Sequence, residues 1–329
     1  MTRWGAGATV GRFLLEKELG EGSWGCVWAA HDPATGETAA VKLLREELAG
    51  RARQRMRFLR EAAIGSRVLH PGLVAVLDVG IEGEDVFIAF ERLQGAGLNA
   101  LLRGDERMPV RIFLDLMRQC ADAMRALHAA SVVHRDLKPS NLFVHCPDDN
   151  DDCVLKILDF GVSKVLAEAD GIHTQTGSFL GTPRYVSPEH VLSAATVDAR
   201  TDIWSLGVIL FEGLSGTFPH QGADTVELLR NITREPPASL DVLCPALPAI
   251  LRGLVRDCLK PRVSRTIDAA EIHERLTDVI DGELVPAGER LSPPNRGLPQ
   301  SVSPTQADEA FLPETASYVT ARWTTTRRR

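Results

Sequence analysis

The sequence predicts an α+β fold of two unequal lobes, and three observations carry that expectation. Before residue 92 the chain reads as five strand-like runs and one helical run. Beyond Gly97 it turns to long amphipathic helices separated by short strand-like pieces. Between the two patterns, residues 91–97 hold two glycines and no clear periodicity, as a hinge would.

The elements follow in order. RFLLEKEL, GCVWAAHD and TAAVKLL, the last two joined by the turn PATGE, read as three consecutive antiparallel strands. RQRMRFLREAAIGSRVL has helical spacing at Met56, Leu59 and Ala63, and LVAVLDVG and DVFIAFE add two more strands. PVRIFLDLMRQCADAMRALHAA and TDIWSLGVILFEGLSG are the clearest helices of the second half, with NLFV and VLKIL as short strands between them. From about residue 281 the chain is rich in Pro, Ser and polar residues, too poor in apolar surface to offset the entropy of ordering. The expected organisation is an N-terminal extension (1–10), a domain over 11–280 with lobes at 11–92 and 97–280, and a disordered tail (281–329) with a basic end.

Composition narrows the function. A chain of 329 residues that is 44% hydrophobic and 25% charged has an ordinary globular balance. Its net charge of −7 argues against a role in neutralising a phosphate backbone, so no nucleic-acid partner is expected. The cysteines Cys26, Cys120, Cys146, Cys153, Cys244 and Cys258 form no C-x-x-C pair; Cys146 and Cys153 flank an acidic turn across which they could face each other, but free thiols in a reducing, cytoplasmic setting are the expectation. The N-terminus lacks the apolar core of a signal peptide, and no run reaches the roughly eighteen apolar residues that span a bilayer.

The chemistry sits in a few motifs. LGEGSWGCV, residues 19–27, is a full G-x-G-x-x-G lying between two strands, where glycines let backbone amides approach phosphate oxygens. Taken alone, a plain glycine turn accounts for it equally well. Lys42, in the third strand, is placed to point a cation at phosphates under such a flap, and Glu61 lies mid-helix where a partly buried carboxylate would need a cation. HRDLKPSN sets Asp136 between Arg135 and Lys138 and closes on Asn141; LKILDFG then brings Asp159 after a second short strand. Two carboxylates and an amide oxygen are a hard-oxygen set suited to Mg²⁺ shared with nucleotide phosphates. GIHTQTGSFLGTPRYVSPE follows, Ser/Thr-rich and low in apolar content, as a loop ordered by phosphorylation would be.

On these motifs, which occur together and in order over residues 11–280, the chain resembles the protein kinases, in particular the eukaryotic-like Ser/Thr kinases of bacteria. The resemblance implies a bilobal protein kinase fold that transfers the γ-phosphate of ATP, with Mg²⁺, to Ser/Thr hydroxyls of protein substrates. It implies that Asp136 accepts the hydroxyl proton, that Lys138 steadies the transferring phosphate and that Asn141 and Asp159 hold the metal. The implied nucleotide site is Leu19, Gly20, Glu21, Gly22, Ser23, Trp24, Gly25, Val27, Ala40, Lys42, Glu61, Glu91, Leu93 and Leu142. Lys42, paired to Glu61, grips the α and β phosphates. Thr174, Thr176 and Ser178 are the implied regulatory phosphorylation sites, filled by autophosphorylation in a kinase homodimer and read by Arg135. Glu189 is expected to pair with Arg265, and Asp202 to anchor the backbone of the HRD turn.

Two departures and one rejected reading bear on this. The family's A-P-E is S-P-E at Ser187, expected to be harmless. Gly65, one turn after Glu61, is expected to weaken its helix by about 1 kcal/mol. PDDNDD (147–152) fails as a calcium loop, because the glycine position falls on Cys153 and the twelfth on Asp159. A pseudokinase scaffold is the alternative, though Lys42, Asp136, Asn141 and Asp159 are all present. A small-molecule phosphotransferase would typically lack the GTPRYVSPE segment.

Overall fold

Period-two alternation builds the small lobe. A computed structural model describes residues 4–22, 24–104, 107–147, 153–159, 183–193, 197–286 and 288–293, with the side chains of Arg57, Glu61, Ile64 and Gly65 outside that description. Strands Thr9–Val10 (β1), Phe13–Glu21 (β2), Gly25–His31 (β3), Thr38–Leu44 (β4), Val76–Glu82 (β5) and Asp85–Glu91 (β6) form one six-stranded sheet, ordered β1-β2-β3-β4-β6-β5. All neighbours are antiparallel. Register aligns Gly20, Val27, Lys42 and Ile88 in one cross-strand row, with Ala29, Ala40 and Phe90 in the next row on that face. Cys26, Trp28, Val41, Leu43 and Phe87 point the other way, into a core closed by Val10, Phe13 and Leu15. Lys42 is thereby committed to the side of the sheet opposite that core.

The five expected strands are present, and the sixth corrects the expected count. β1 has only two residues, too few to alternate legibly, and comes from the segment read as an extension. It is nonetheless fixed: Val10 is buried, and Trp4 Nε1 donates to Asp85 Oδ1 at 3.1 Å.

Gly25 shows what the close approach of β3 and β4 requires. A Cβ there would lie 1.7 Å from Leu43 O, whereas at Gly22 it would meet only Gly25 O at 3.9 Å. Gly25→Ala is expected to force the strands apart and cost about 1–3 kcal/mol, seen as a lower urea midpoint. Gly22→Ala should leave the midpoint in place; equal losses in both variants would refute the steric argument.

After Glu46–Ala49 (α1), helix Ala52–Gly65 (α2) covers the sheet with Phe58 and Ala62. Gly65 is its last residue, so the expected weakening falls on the final turn of α2 rather than on its middle.

In the large lobe, Gly95–Gly97 (β7), Leu142–His145 (β8) and Val154–Ile157 (β9) make a three-stranded antiparallel sheet. Helices Leu98–Arg103 (α3), Val110–Ala129 (α4), Pro188–Leu192 (α5), Arg200–Ser215 (α6), Thr225–Arg234 (α7), Leu240–Leu243 (α8), Ala249–Cys258 (α9) and Ala269–Asp281 (α10) follow. α6 is buried on nearly every side, and α4 packs against both α6 and α10. No helix among the described residues is long and apolar enough to cross a membrane.

Two further expectations are corrected. Residues 282–286 and 288–293, read as the start of a disordered tail, are packed: Val285 and Leu291 are buried, and Leu291 N–H donates to Met108 O at 3.0 Å. Two apolar anchors in a polar stretch do not register in composition. Residues 294–329 lie outside the described residues. Cys146 and Cys153, expected as free thiols, form a disulfide with Cα atoms 4.4 Å apart, because the β8–β9 ladder brings the next pair in register face to face. Cys26, Cys120, Cys244 and Cys258 are free.

Candidate active site

The turn at residues 134–141 is shaped from below by a buried carboxylate. Asp202, near the start of α6, accepts the N–H of His134 on Oδ2 (2.9 Å) and that of Arg135 on Oδ1 (2.8 Å). His128 Nε2 lies 2.9 Å from the same Oδ2. These bonds hold Arg135 at φ 64°, a left-handed conformation that costs a non-glycine residue energy. His134 Nδ1 accepts from Asp136 N–H at 3.3 Å, which leaves Nε2 to donate to Leu158 O at 3.1 Å. The turn and the end of β9 are therefore one unit.

Asn141 is oriented by its own amide. Nδ2 donates to Asp136 O at 2.8 Å and reaches Asp136 Oδ2 at 3.4 Å, while Oδ1 makes no hydrogen bond among the described residues. Leu158 N–H donates to Asn141 O at 2.8 Å, fixing Asn141 beside the residue that precedes Asp159. Asp159 has φ 43°. Lys42 Nζ, arriving from β4, meets Asp159 Oδ1 at 2.6 Å, and Lys138 Nζ lies 3.6 Å from Asp136 Oδ2. The structure thus brings Lys42, Asp136, Lys138, Asn141 and Asp159 to one cleft.

The other expected residues fall around it. Leu19, Gly20 and Glu21 end β2, Gly22 and Trp24 lie in the turn, Gly25 and Val27 open β3, and Ala40 lies two residues before Lys42. Leu142 is fully buried at the start of β8, and Leu93 is partly buried. Glu91 closes β6, where its side chain accepts from Lys156 Nζ (2.6 Å) and Ala75 N–H (2.8 Å). Ser23, the side chain of Glu61, and Thr174, Thr176 and Ser178 lie outside the described residues.

Sequence reasoning missed Arg45. Its Nε and Nη2 donate to Gly22 O at 3.2 and 2.9 Å and it pairs with Glu21 at 2.7 Å, tying the glycine turn to the strand of Lys42. Nothing in its own neighbourhood marks it, because its partners lie on another strand. Ser187, where the family's pattern has alanine, makes contacts of its own. It is buried, caps α5 by accepting from His190 N–H at 3.3 Å, and bonds Thr201 Oγ1. Ser before Pro-Glu is a legible helix start. The expected pair Glu189–Arg265 is present at 2.7 Å, with both residues buried.

Tyr185 OH donates to Glu212 Oε2 at 2.6 Å. Burial pushes the Glu212 carboxyl up to about 7, against the opposing pull of the tyrosine bond and of Arg103 and Arg184. An unfolded glutamate titrates near 4.3, so between that pH and about 7 only the folded chain holds this proton. Stability should therefore fall as pH rises through that window and level off above it. Glu212→Gln is expected to remove on the order of 1–2 kcal/mol of the decline, a figure reduced for the group's partial exposure. The check is the urea midpoint of both proteins from pH 5 to 8; parallel curves would count against the assignment.

This arrangement has known counterparts. The protein kinase domain family model matches residues 13–275. Serine/threonine-protein kinase PknA of Mycobacterium tuberculosis is 32% identical over 298 residues, covering 89% of this chain and 67% of that protein. PkaA of Streptomyces coelicolor is 35% identical over 284 residues, covering 82% of this chain and 50% of that one. For pkn2 of Myxococcus xanthus the identity is 34% over 288 residues, with coverage of 84% and 34%. The solved kinase domain of Mycobacterium tuberculosis PknI superposes with a TM-score of 0.64 at 22% identity, covering 86% of this chain and 100% of that one, a likeness of fold. The chain belongs to the protein kinase family. Within that family it is a serine/threonine protein kinase of the eukaryotic-like kind found in bacteria.

Proposed function

We propose that the cleft between the lobes binds Mg²⁺-ATP and that Asp136 takes the proton of a protein Ser or Thr hydroxyl as the γ-phosphate is transferred to it. The observation that carries this reading is the meeting of Lys42 and Asp159, 2.6 Å apart, one from each lobe. A lysine and a carboxylate so placed neutralise each other until a phosphate takes the first and a cation the second. Asn141 supports the same reading, since its Nδ2 is committed to Asp136 and its Oδ1 is left as a hard-oxygen acceptor. Asn141 and Asp159 would hold Mg²⁺, which supplies neutralisation of the triphosphate's charge.

The chain's own groups then divide the work. Lys42 binds the α and β phosphates under the flap from Leu19 to Val27. Glu61 is its proposed partner from α2, whose Phe58 ring centroid lies 6.0 Å from Lys42 Nζ. Lys138 faces the transferring phosphate beside Asp136. Ala40, Val27, Leu93 and Leu142 provide apolar surface for the base, with Glu91 at the edge. Thr174, Thr176 and Ser178 are proposed sites of activating autophosphorylation between two copies of the chain, with Arg135 supplying cationic recognition. A cytoplasmic setting suits that supply of ATP.

The test is incubation with Mg²⁺ and γ-labelled ATP, followed by phosphosite mapping, beside an Asp136→Asn control. Label on Ser or Thr in the wild type and its loss in the control are expected. Equal label in both, or none in either, would overturn the proposal.

A further inference from the structure

The hairpin that carries Asn141 and Leu158 has a second end. β8 and β9 pair from Leu142↔Ile157 to His145↔Val154. Asn141 directly precedes the first end and Asp159 follows shortly after it, while Cys146 and Cys153 are the next pair beyond the other. That second end is also fastened to the inter-lobe segment: Cys146 N–H donates to Gln94 O at 2.7 Å, and Gln94 N–H to His145 Nδ1 at 3.0 Å. Cys146 is fully buried and Cys153 is partly exposed.

We propose that Cys146 and Cys153 are a reversible redox modification site whose disulfide clamps this hairpin, so that the oxidised chain binds Mg²⁺-nucleotide more tightly than the reduced chain. Four cross-strand residue pairs separate the clamp from the cleft. β9 is the edge strand of the three-stranded sheet, laddered to β8 on one side, and edge pairing opens more readily than central pairing; tying its far end to β8 restricts the opening that would move Asn141 relative to Asp159.

The chemistry balances with a low-molecular-mass disulfide, RSSR, as oxidant. The accessible Cys153 thiolate attacks one sulfur of RSSR and expels RS⁻, leaving a mixed disulfide. Cys146 thiolate then attacks Cys153 Sγ and expels the second RS⁻. The two cysteines give up two electrons and two protons, and RSSR becomes two RSH. Reduction enters at Cys153 Sγ, because the Cys146 sulfur is buried.

The full chain is equilibrated with oxidised or reduced glutathione, and its cysteines are mapped by differential alkylation and mass spectrometry. A Cys146–Cys153 pair in the oxidised sample is expected, with the other four cysteines still alkylated after unfolding. The Kd for Mg²⁺-ADP, which needs no turnover, should be several-fold lower oxidised than reduced. The Cys146→Ser/Cys153→Ser double variant should show the reduced value in both buffers, and Cys244→Ser the full redox response. Alkylation of Cys146 and Cys153 in the oxidised sample overturns the site. A disulfide that leaves Kd unmoved, or a response that persists in the double variant, overturns the clamp. The clamp rests on the nucleotide reading above and the disulfide does not. A disulfide with no ADP binding in either state therefore refutes both the clamp and that reading, while the modification site stands.

Discussion

Asp136→Asn is expected to lower phosphoryl transfer by about 10²- to 10⁴-fold, the usual contribution of a positioned general base. Asparagine has nearly the same shape, so it can still accept from Asn141 Nδ2, and the 2.8 Å bond from Asn141 to the backbone O of residue 136 does not depend on the side chain. It cannot take a proton. It also gives up the attraction between Lys138 and the Asp136 carboxylate, now 3.6 Å apart. Nucleotide binding, which is assigned to other residues, should change little. The measurements are kcat at saturating Mg²⁺-ATP and the Kd for Mg²⁺-ADP. A fall in kcat of less than about tenfold would assign the proton elsewhere and leave positioning and charge neutralisation as the whole of catalysis.

The second large effect is structural. Arg265 is almost wholly buried, donates to Glu189 Oε1 (2.7 Å), Arg200 O (2.8 Å) and Lys260 O (3.0 Å), and sits 4.9 Å from the Trp204 ring centroid. Glu189 Oε2 and Arg265 Nη2 are buried with no hydrogen-bond partner among the described residues, so within them the pair is only partly satisfied. Removing the cation alone strands a buried carboxylate, and Arg265→Met is expected to cost about 3–5 kcal/mol. That is a large part of the 5–15 kcal/mol that typically holds a domain folded. Replacing both partners, Glu189→Leu with Arg265→Met, should recover much of the loss, because no charge is then left unpaired. Chemical denaturation of the single and double variants decides it. A single variant within about 1 kcal/mol of the wild type, or a double variant worse than the single, would show that the pair is not what holds α5 against the lobe.

What the sequence discloses here is what lies within one turn or one strand. HRDLKPSN, LKILDFG and the alternation in AAVK put Asp136, Asn141, Asp159 and Lys42 in view, since each owes its position to neighbours a few residues away. The spacing of α4 and α6 was equally plain, because long amphipathic or wholly apolar helices depend on pattern rather than on partners. What stayed hidden depends on contacts between distant segments. Arg45 matters only because β2 and β3 turn back over it; the facing of Cys146 and Cys153 could be read from the turn they flank, but their bond depends on the register that the β8–β9 ladder fixes. Val285 and Leu291 are single apolar residues in a stretch whose average composition is polar. Lys42 and Asp159 stand 117 residues apart; the family resemblance assigned both to one nucleotide site, but their direct contact was legible in neither segment.

The two-residue strand β1 has a consequence for any shortened form of the chain. Residues 7–10 occupy the free margin of β2 beside Phe13 and Leu15, with Gly7 N–H donating to Leu15 O and Leu15 N–H to Ala8 O, both at 2.8 Å. Beyond that cover the same margin carries Glu16, Lys17 and Glu18, charges that discourage a foreign strand from adding on. Trimming the first ten residues would bare the apolar part of this border and leave its backbone groups unmatched. Such a truncation would invite edge-to-edge association between molecules, with solubility lost before any change in the cleft.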